Sequence, residues 1–147
     1  MYQRILVATD GSELSARAVA SAIDLAALTK AELIALKVVP LYPQSYFEGG
    51  IALRPDEIQR VEQEWAEAGQ VIVDAVAQAA LAKGVRTKAL TVKSDVVSDA
   101  ILDVVKNQHC DLVVMASHGR RGIRRLLLGS ETQQVLTHGN VPVLVLK

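Results

Sequence analysis

Aromatic side chains are scarce in this chain of 147 residues, with one Trp, one Phe and three Tyr making up 3% of it. Rings this sparse exclude the stacking platforms used by single-strand nucleic-acid binders. They also leave the core to Ala, Val, Leu and Ile, which supply most of a 50% hydrophobic content. Cysteine occurs once, at Cys110, which excludes an intramolecular disulfide framework and any all-cysteine zinc or iron–sulfur cage. Charge of one sign is not in excess either, since 16 Lys and Arg balance 16 Asp and Glu. The chain therefore lacks a general electrostatic footprint for duplex nucleic acid or an anionic membrane. Any anion site must be local. No apolar run reaches membrane-spanning length, and Ile5-Leu6-Val7-Ala8 is cut short by Asp10, against a signal peptide. A cytoplasmic protein without nucleic-acid or membrane partners is expected, folded as one domain over residues 1–147. A chain of this size buries roughly 70% of its unfolded surface and needs no staples.

What is present is an alternation. Short runs rich in β-branched residues, Arg4 to Thr9, Ala31 to Val39, Arg86 to Val92, Asp111 to Ala116 and Pro142 to Leu146, alternate with segments of helical period. That is the pattern of stacked βαβ units. The near-continuous apolar character of Leu112-Val113-Val114-Met115-Ala116 suits parallel strands covered on both faces. The expectation is an α/β fold, an open, doubly wound, five-stranded parallel sheet with helices on both faces.

The first helix is predicted to start at the N-cap Ser12 and to bury Ala18, Ala22, Leu25 and Ala26. The second opens at Pro55 and stops at Gly84, with Ile58, Val61, Trp65, Ala68, Ile72, Val76 and Ala79 on its inward stripe. A third runs from Asp95 to Gln108. The last opens at Ser130, where Ser130-Glu131-Thr132-Gln133 has the form of a capping box. Between Pro40 and Pro55 lies a long connection with Tyr42, Pro43, Tyr46, Phe47 and Gly49-Gly50, read either as a functional loop over a ligand or as a plain insertion.

Ligands of such sheets sit beyond the carboxyl ends of the strands, where strand order reverses. Two loops matter there. The first is Ala8-Thr9-Asp10-Gly11-Ser12, in which Asp10 either binds a ribose or an adenine amino group or caps the following helix. The second is Ala116-Ser117-His118-Gly119, continuing to Gly129-Ser130. A helix N-terminus there presents free N–H groups, and Gly119 and Gly129 admit close backbone approach, so a phosphate chain fits. Ser130 and Thr132 add hydroxyls, while Arg120, Arg121, Arg124 and Arg125 concentrate positive charge. The plainer reading makes the glycines turns, Ser130 a cap and the arginines a solvated face. His118 is either a phosphate contact or proton carrier, or a loop residue with one hydrogen bond. Walker and dinucleotide glycine motifs are missing, as is a nucleophile elbow.

Taken together, Ile5 to Ser12, Asp111 to Gly119, Leu127-Leu128-Gly129-Ser130 and Val141-Pro142-Val143-Leu144-Val145 resemble the universal stress protein family over the whole chain. Nucleotide-binding members of that family carry G-x2-G-x9-G-[ST], which falls here on Ala116, Gly119, Gly129 and Ser130, with Ala116 in place of the first glycine. The resemblance implies strand order 3-2-1-4-5 and ATP with Mg across the gap between strands one and four. It places Asp10 and Val38 near the adenosine, with Ala8 the corresponding neighbour on strand one, and Ser117, His118, Gly119, Gly129, Ser130 and Glu131 around the phosphates; Thr9, Ala116, Arg120, Arg121 and Thr132, from the two loops themselves, complete the candidate binding residues. It further implies a homodimer through the last strand, Val141 to Leu146. A stress-response or regulatory protein holding ATP as ligand or switch is expected, at most a slow ATPase because only His118 offers itself as a base. The rival reading is a dimeric interaction module of the same fold without nucleotide. A flavin or another phosphorylated cofactor in the same cleft is a third.

Overall fold

Strands and helices alternate along the computed structural model, which describes residues 1–43, 53–119 and 128–147. The elements are β1 (Arg4–Ala8), α1 (Glu13–Thr29), β2 (Glu32–Val39), α2 (Pro55–Leu81), β3 (Thr87–Lys93), α3 (Val97–Asn107), β4 (Leu112–Ala116), α4 (Ser130–His138) and β5 (Val143–Leu146). The sheet is parallel throughout, in the order β3-β2-β1-β4-β5. Both fold class and strand order are those expected. In β1, Val7 pairs with Ala35 on one side and Val114 on the other, which makes β1 the centre of the sheet.

Because successive strand residues point to opposite faces, β1 feeds two cores. Ile5 and Val7 join Ala18, Ala22 and Val73 from α1 and α2. Leu6 joins Ile101, Val104 and Val135 from α3 and α4. The largest fully buried side chains are all Ile, Leu or Val, as the shortage of aromatics requires. Each contributes about 1.5–3 kcal/mol by leaving water.

Helix α2 departs from its predicted stripe. It buries Gly69, Val73, Val76 and Ala80, while Ala68 and Ala79 are exposed and Trp65 and Ile72 only half-buried. The inward line is turned by about one residue because Gly69 lets the helix sit low on the sheet. A Cβ there would stand 2.9 Å from Val39 Cγ2 and 3.1 Å from Lys37 Cγ. Trp65, Ala68 and Ile72 thereby move to the rim of a cleft described below.

Three helix ends share one solution. Lys30, Gly84 and His109 take left-handed φ values of 59°, 74° and 55°. The next N–H then bonds back to the last helical turn, from Ala31 to Ala26, Val85 to Ala80 and Cys110 to Val105, at 2.9–3.0 Å. This is the six-to-one bond of a Schellman end, and Ala31, Val85 and Cys110 enter the core behind it. Burial, the largest influence, pushes the Cys110 thiol up to about 11, with Arg4 pulling it down and Asp111 and Glu32 adding to the rise. The expected small core residue is what the structure shows at Cys110.

The expected capping box at Ser130 does not form. Gly129 is the N-cap, with φ −61° and ψ 153°, and Ser130 is the first helical residue. Its hydroxyl donates instead to Glu131 Oε2 at 2.9 Å. Of the Pro40 to Pro55 connection, residues 44–52 lie outside the described residues, so that reading has no structural counterpart here.

Candidate functional site

The loop after β1 is a tight turn held by its own side chains. Thr9 N continues the ladder to Leu36 O at 3.0 Å, and its buried hydroxyl lies 3.1 Å from Ser15 Oγ and accepts from Gly11 N at 3.2 Å. Gly11 has φ 79°, a conformation costly for residues with a Cβ. Ser12 Oγ caps α1 by accepting from Ser15 N at 3.2 Å. Asp10 is therefore not the helix cap. Its Oδ1 accepts from Ser12 N at 2.9 Å, and its Oδ2 lies over the second loop, 2.8 Å from where a Cβ on Gly119 would stand.

The loop after β4 is tied to β5 and α4. Ser117 N donates to Leu146 O at 2.7 Å, and Gly129 N donates to Ser117 O at 2.6 Å. A Cβ on Gly129 would meet His118 Cα and Ser117 O at 3.0 Å each, both backbone atoms. The buried Thr132 hydroxyl donates to Ala116 O at 3.0 Å, and Ser117 Oγ lies 3.2 Å from His118 Nδ1. Ala116 belongs to β4 and does not have a positive φ. Its methyl group alters the surface without diverting the backbone.

These loops border a cleft of about 850 Å³ at the carboxyl ends of β1, β2 and β4. Of the residues named from sequence, Ala8, Thr9, Asp10 and Val38 line one side, and Ala116, His118, Gly119, Gly129, Ser130, Glu131 and Thr132 line the other. Ser117 is buried behind this wall rather than part of it. Arg120 and Arg121, with Arg124 and Arg125, lie outside the described residues.

The sequence reading missed an apolar floor of Leu36, Ile101 and Met115 and a wall from α2 containing Trp65 and Ile72. Trp65 stacks on Tyr42 with ring centroids 6.1 Å apart and planes 17° from parallel. Tyr42 is pinned by its N–H on Glu62 Oε2 at 2.8 Å. Lys37, a charge that interrupts the apolar run from Leu33 to Val39 in β2, was the one available signal for that side, and its ammonium donates to Val38 O at 3.1 Å.

Chemically, the start of α4 is the most suggestive part of the cleft. Its cap has no side chain, so no side-chain oxygen of the cap occupies the first-turn N–H groups, and these carry the positive end of the helix dipole. The Ser130 and Thr132 hydroxyl protons are already committed to protein acceptors. Among the described residues no group of three or more His, Cys, Asp or Glu forms a metal cage. Asp10 and Glu131 nevertheless line the cleft, and one or two carboxylates together with substrate phosphates suit Mg. No described helix is long and apolar enough to cross a membrane.

A family model described as the universal stress protein family matches residues 1–147. Universal stress protein MJ0531 of Methanocaldococcus jannaschii is 32% identical over 147 residues, spanning 100% of this chain and 83% of that protein. Among solved structures, hypothetical protein MJ0577 of the same organism superposes with a TM-score of 0.82 at 24% identity, covering 100% of this chain and 96% of that one. A universal stress protein solved in complex with cAMP superposes with a TM-score of 0.71 at 27% identity, covering 99% of this chain and 97% of its own. The sheet order, the two loops that close on the cleft and these likenesses over the full length agree, and the chain belongs to the universal stress protein family.

Proposed function

We propose that this chain is a cytoplasmic stress-response protein that binds an adenine nucleotide, ATP with Mg, in the cleft at the ends of β1 and β4. The observation that carries this reading is the uncapped start of α4. A Cβ on Gly129 would stand 3.0 Å from Ser117 O and His118 Cα, so this cap carries no side chain and the first-turn backbone N–H groups are left at the cleft. The apolar floor beside Val38 suits a base, and Asp10 suits hydroxyl or amino donors. The cAMP held by a relative supports an adenine nucleotide as the ligand class. When bound, Mg would neutralise phosphate charge, with Glu131 and Asp10 as the available carboxylates.

The test is calorimetric titration of purified protein with ATP, with and without Mg, beside acid extraction of a separate sample to check for nucleotide carried through purification. Saturable binding near one per chain is expected. Trp65 is the only Trp in the chain and lines the cleft, so its fluorescence should follow the same isotherm. With no heat, no fluorescence change and no extracted nucleotide, the reading would give way to an interaction module without nucleotide.

The two sheet edges differ, which supports a homodimer through Val141 to Leu146. Edge strand β3 carries Lys88 and Lys93, whereas β5 reads Val143-Leu144-Val145-Leu146 without a charge. Charged edges resist pairing with another chain, and apolar ones invite it. Pro142 O and Leu146 O accept from β4, so by strand alternation the N–H groups of Val143 and Val145 face the open edge. Val143→Pro therefore removes an outward donor and no bond to β4. Sedimentation should show wild-type dimers and Val143→Pro monomers with an unchanged far-UV spectrum; a variant that stays dimeric counts against the seam.

A further inference from the structure

The side chains at the head of α4 do not look like a simple anion site. Glu131 is exposed in its first turn, lines the cleft and accepts the Ser130 hydroxyl at 2.9 Å. Among the described residues it forms no ion pair. The neighbouring Thr132 hydroxyl is spent on Ala116 O. A phosphate approaching the amides of α4 thus meets a carboxylate and no hydroxyl proton from these side chains. Two anions this close repel unless a cation lies between them, and Mg is commonly held by one or two carboxylates plus the phosphates it accompanies.

We propose that Glu131 makes nucleotide binding metal-dependent: its carboxylate is the protein's ligand to the divalent cation carried by the phosphates, and it opposes the metal-free nucleotide. This rests on the nucleotide reading above. The cleft then selects the cation-loaded form of a polyphosphate nucleotide, while adenosine, which has no phosphate, is indifferent to the metal. Coupling between metal and nucleotide is reciprocal, so the nucleotide also raises affinity for the metal.

A purely structural Glu131, serving only the helix dipole, would change the melting temperature on replacement and leave the metal dependence alone. Wild type and Glu131→Gln are each titrated with ATP and with adenosine, in Mg and in EDTA. Removing Mg should weaken ATP by about tenfold or more in wild type and by about threefold or less in Glu131→Gln. The variant should bind metal-free ATP more tightly than wild type, and adenosine should be unaffected by Mg in both. Glu131→Asp, which keeps the charge, should restore the metal dependence. The same loss in wild type and Glu131→Gln overturns the proposal and leaves the nucleotide reading intact. Wild type that binds ATP in neither buffer overturns the nucleotide reading, and this proposal with it.

Discussion

Gly129→Glu should abolish ATP binding, weakening it by about 100-fold or more, which corresponds to about 2.8 kcal/mol. Two effects act together. Any side chain at this position begins with a Cβ 3.0 Å from Ser117 O and His118 Cα, and backbone atoms cannot rotate aside as a flexible side chain can. The N-cap must shift, disturbing the bond from Gly129 N to Ser117 O. The added carboxylate also stands where the proposal puts phosphate. Gly129→Ala separates the two effects, since it keeps the crowding and omits the charge; a loss of about tenfold is expected, within the usual cost of overpacking. Ser130→Ala should cost less than about threefold, because the Ser130 hydroxyl donates to Glu131 rather than facing the cleft unpaired. Calorimetry with ATP and adenosine, beside far-UV spectra to verify folding, reads all three variants. Wild-type affinity in a folded Gly129→Glu protein would remove the start of α4 from the binding site.

That contrast between Gly129 and Ser130 shows where sequence reading reaches its limit. The strands were legible because runs such as Leu112 to Ala116 are apolar on both faces, as buried parallel strands must be. Both loops were legible because the sheet topology brings strand ends together. The pattern Ser130-Glu131-Thr132-Gln133 was legible but misleading. The helix does open at Ser130, but hydrogen bonds from Gly129 N to Ser117 O and from Thr132 Oγ1 to Ala116 O make Gly129 rather than Ser130 its cap, and no local pattern reports bonds made to the end of a preceding strand. The stripe on α2 failed for a related reason. Ile72 and Trp65 have the right period for a core face, but Gly69 admits the sheet more closely than any residue with a side chain would. A glycine within a helix costs about 1 kcal/mol against Ala, and that local penalty was the available hint of close packing. Lys30 and His109 gave no hint, since left-handed helix ends usually announce themselves by glycine.

The other large effect belongs to the opposite end of the sheet and to a residue read from sequence only as the start of a strand. Asp111→Ala should destabilise the fold by about 2–3 kcal/mol, because the carboxylate accepts two backbone N–H bonds, each worth roughly 1.5–3 kcal/mol when the acceptor is charged and less where water competes. Asp111 Oδ2 accepts from Gln3 N at 2.8 Å and Oδ1 from Arg4 N at 3.1 Å. Asp111 N returns a bond to Arg4 O at 2.9 Å. The side chain thus joins the starts of β1 and β4 across a separation of more than a hundred residues. Arg4 is held further by Nη1 on Gln108 O at 2.8 Å and faces Glu32 at 3.8 Å. Asp111→Asn should recover less than half of the loss, since an amide has one acceptor oxygen and turns its own N–H groups toward a donor. A fall in melting temperature of roughly 5–10 °C is expected for Asp111→Ala, with a lower denaturant midpoint and an unchanged slope. Because this clamp ties the amino ends of the strands and the cleft lies at their carboxyl ends, ATP affinity below the transition should match wild type. A loss of affinity equal to that of Gly129→Ala would mean that the two ends of the sheet are coupled; a stability change under about 0.5 kcal/mol would mean that water replaces the carboxylate without cost.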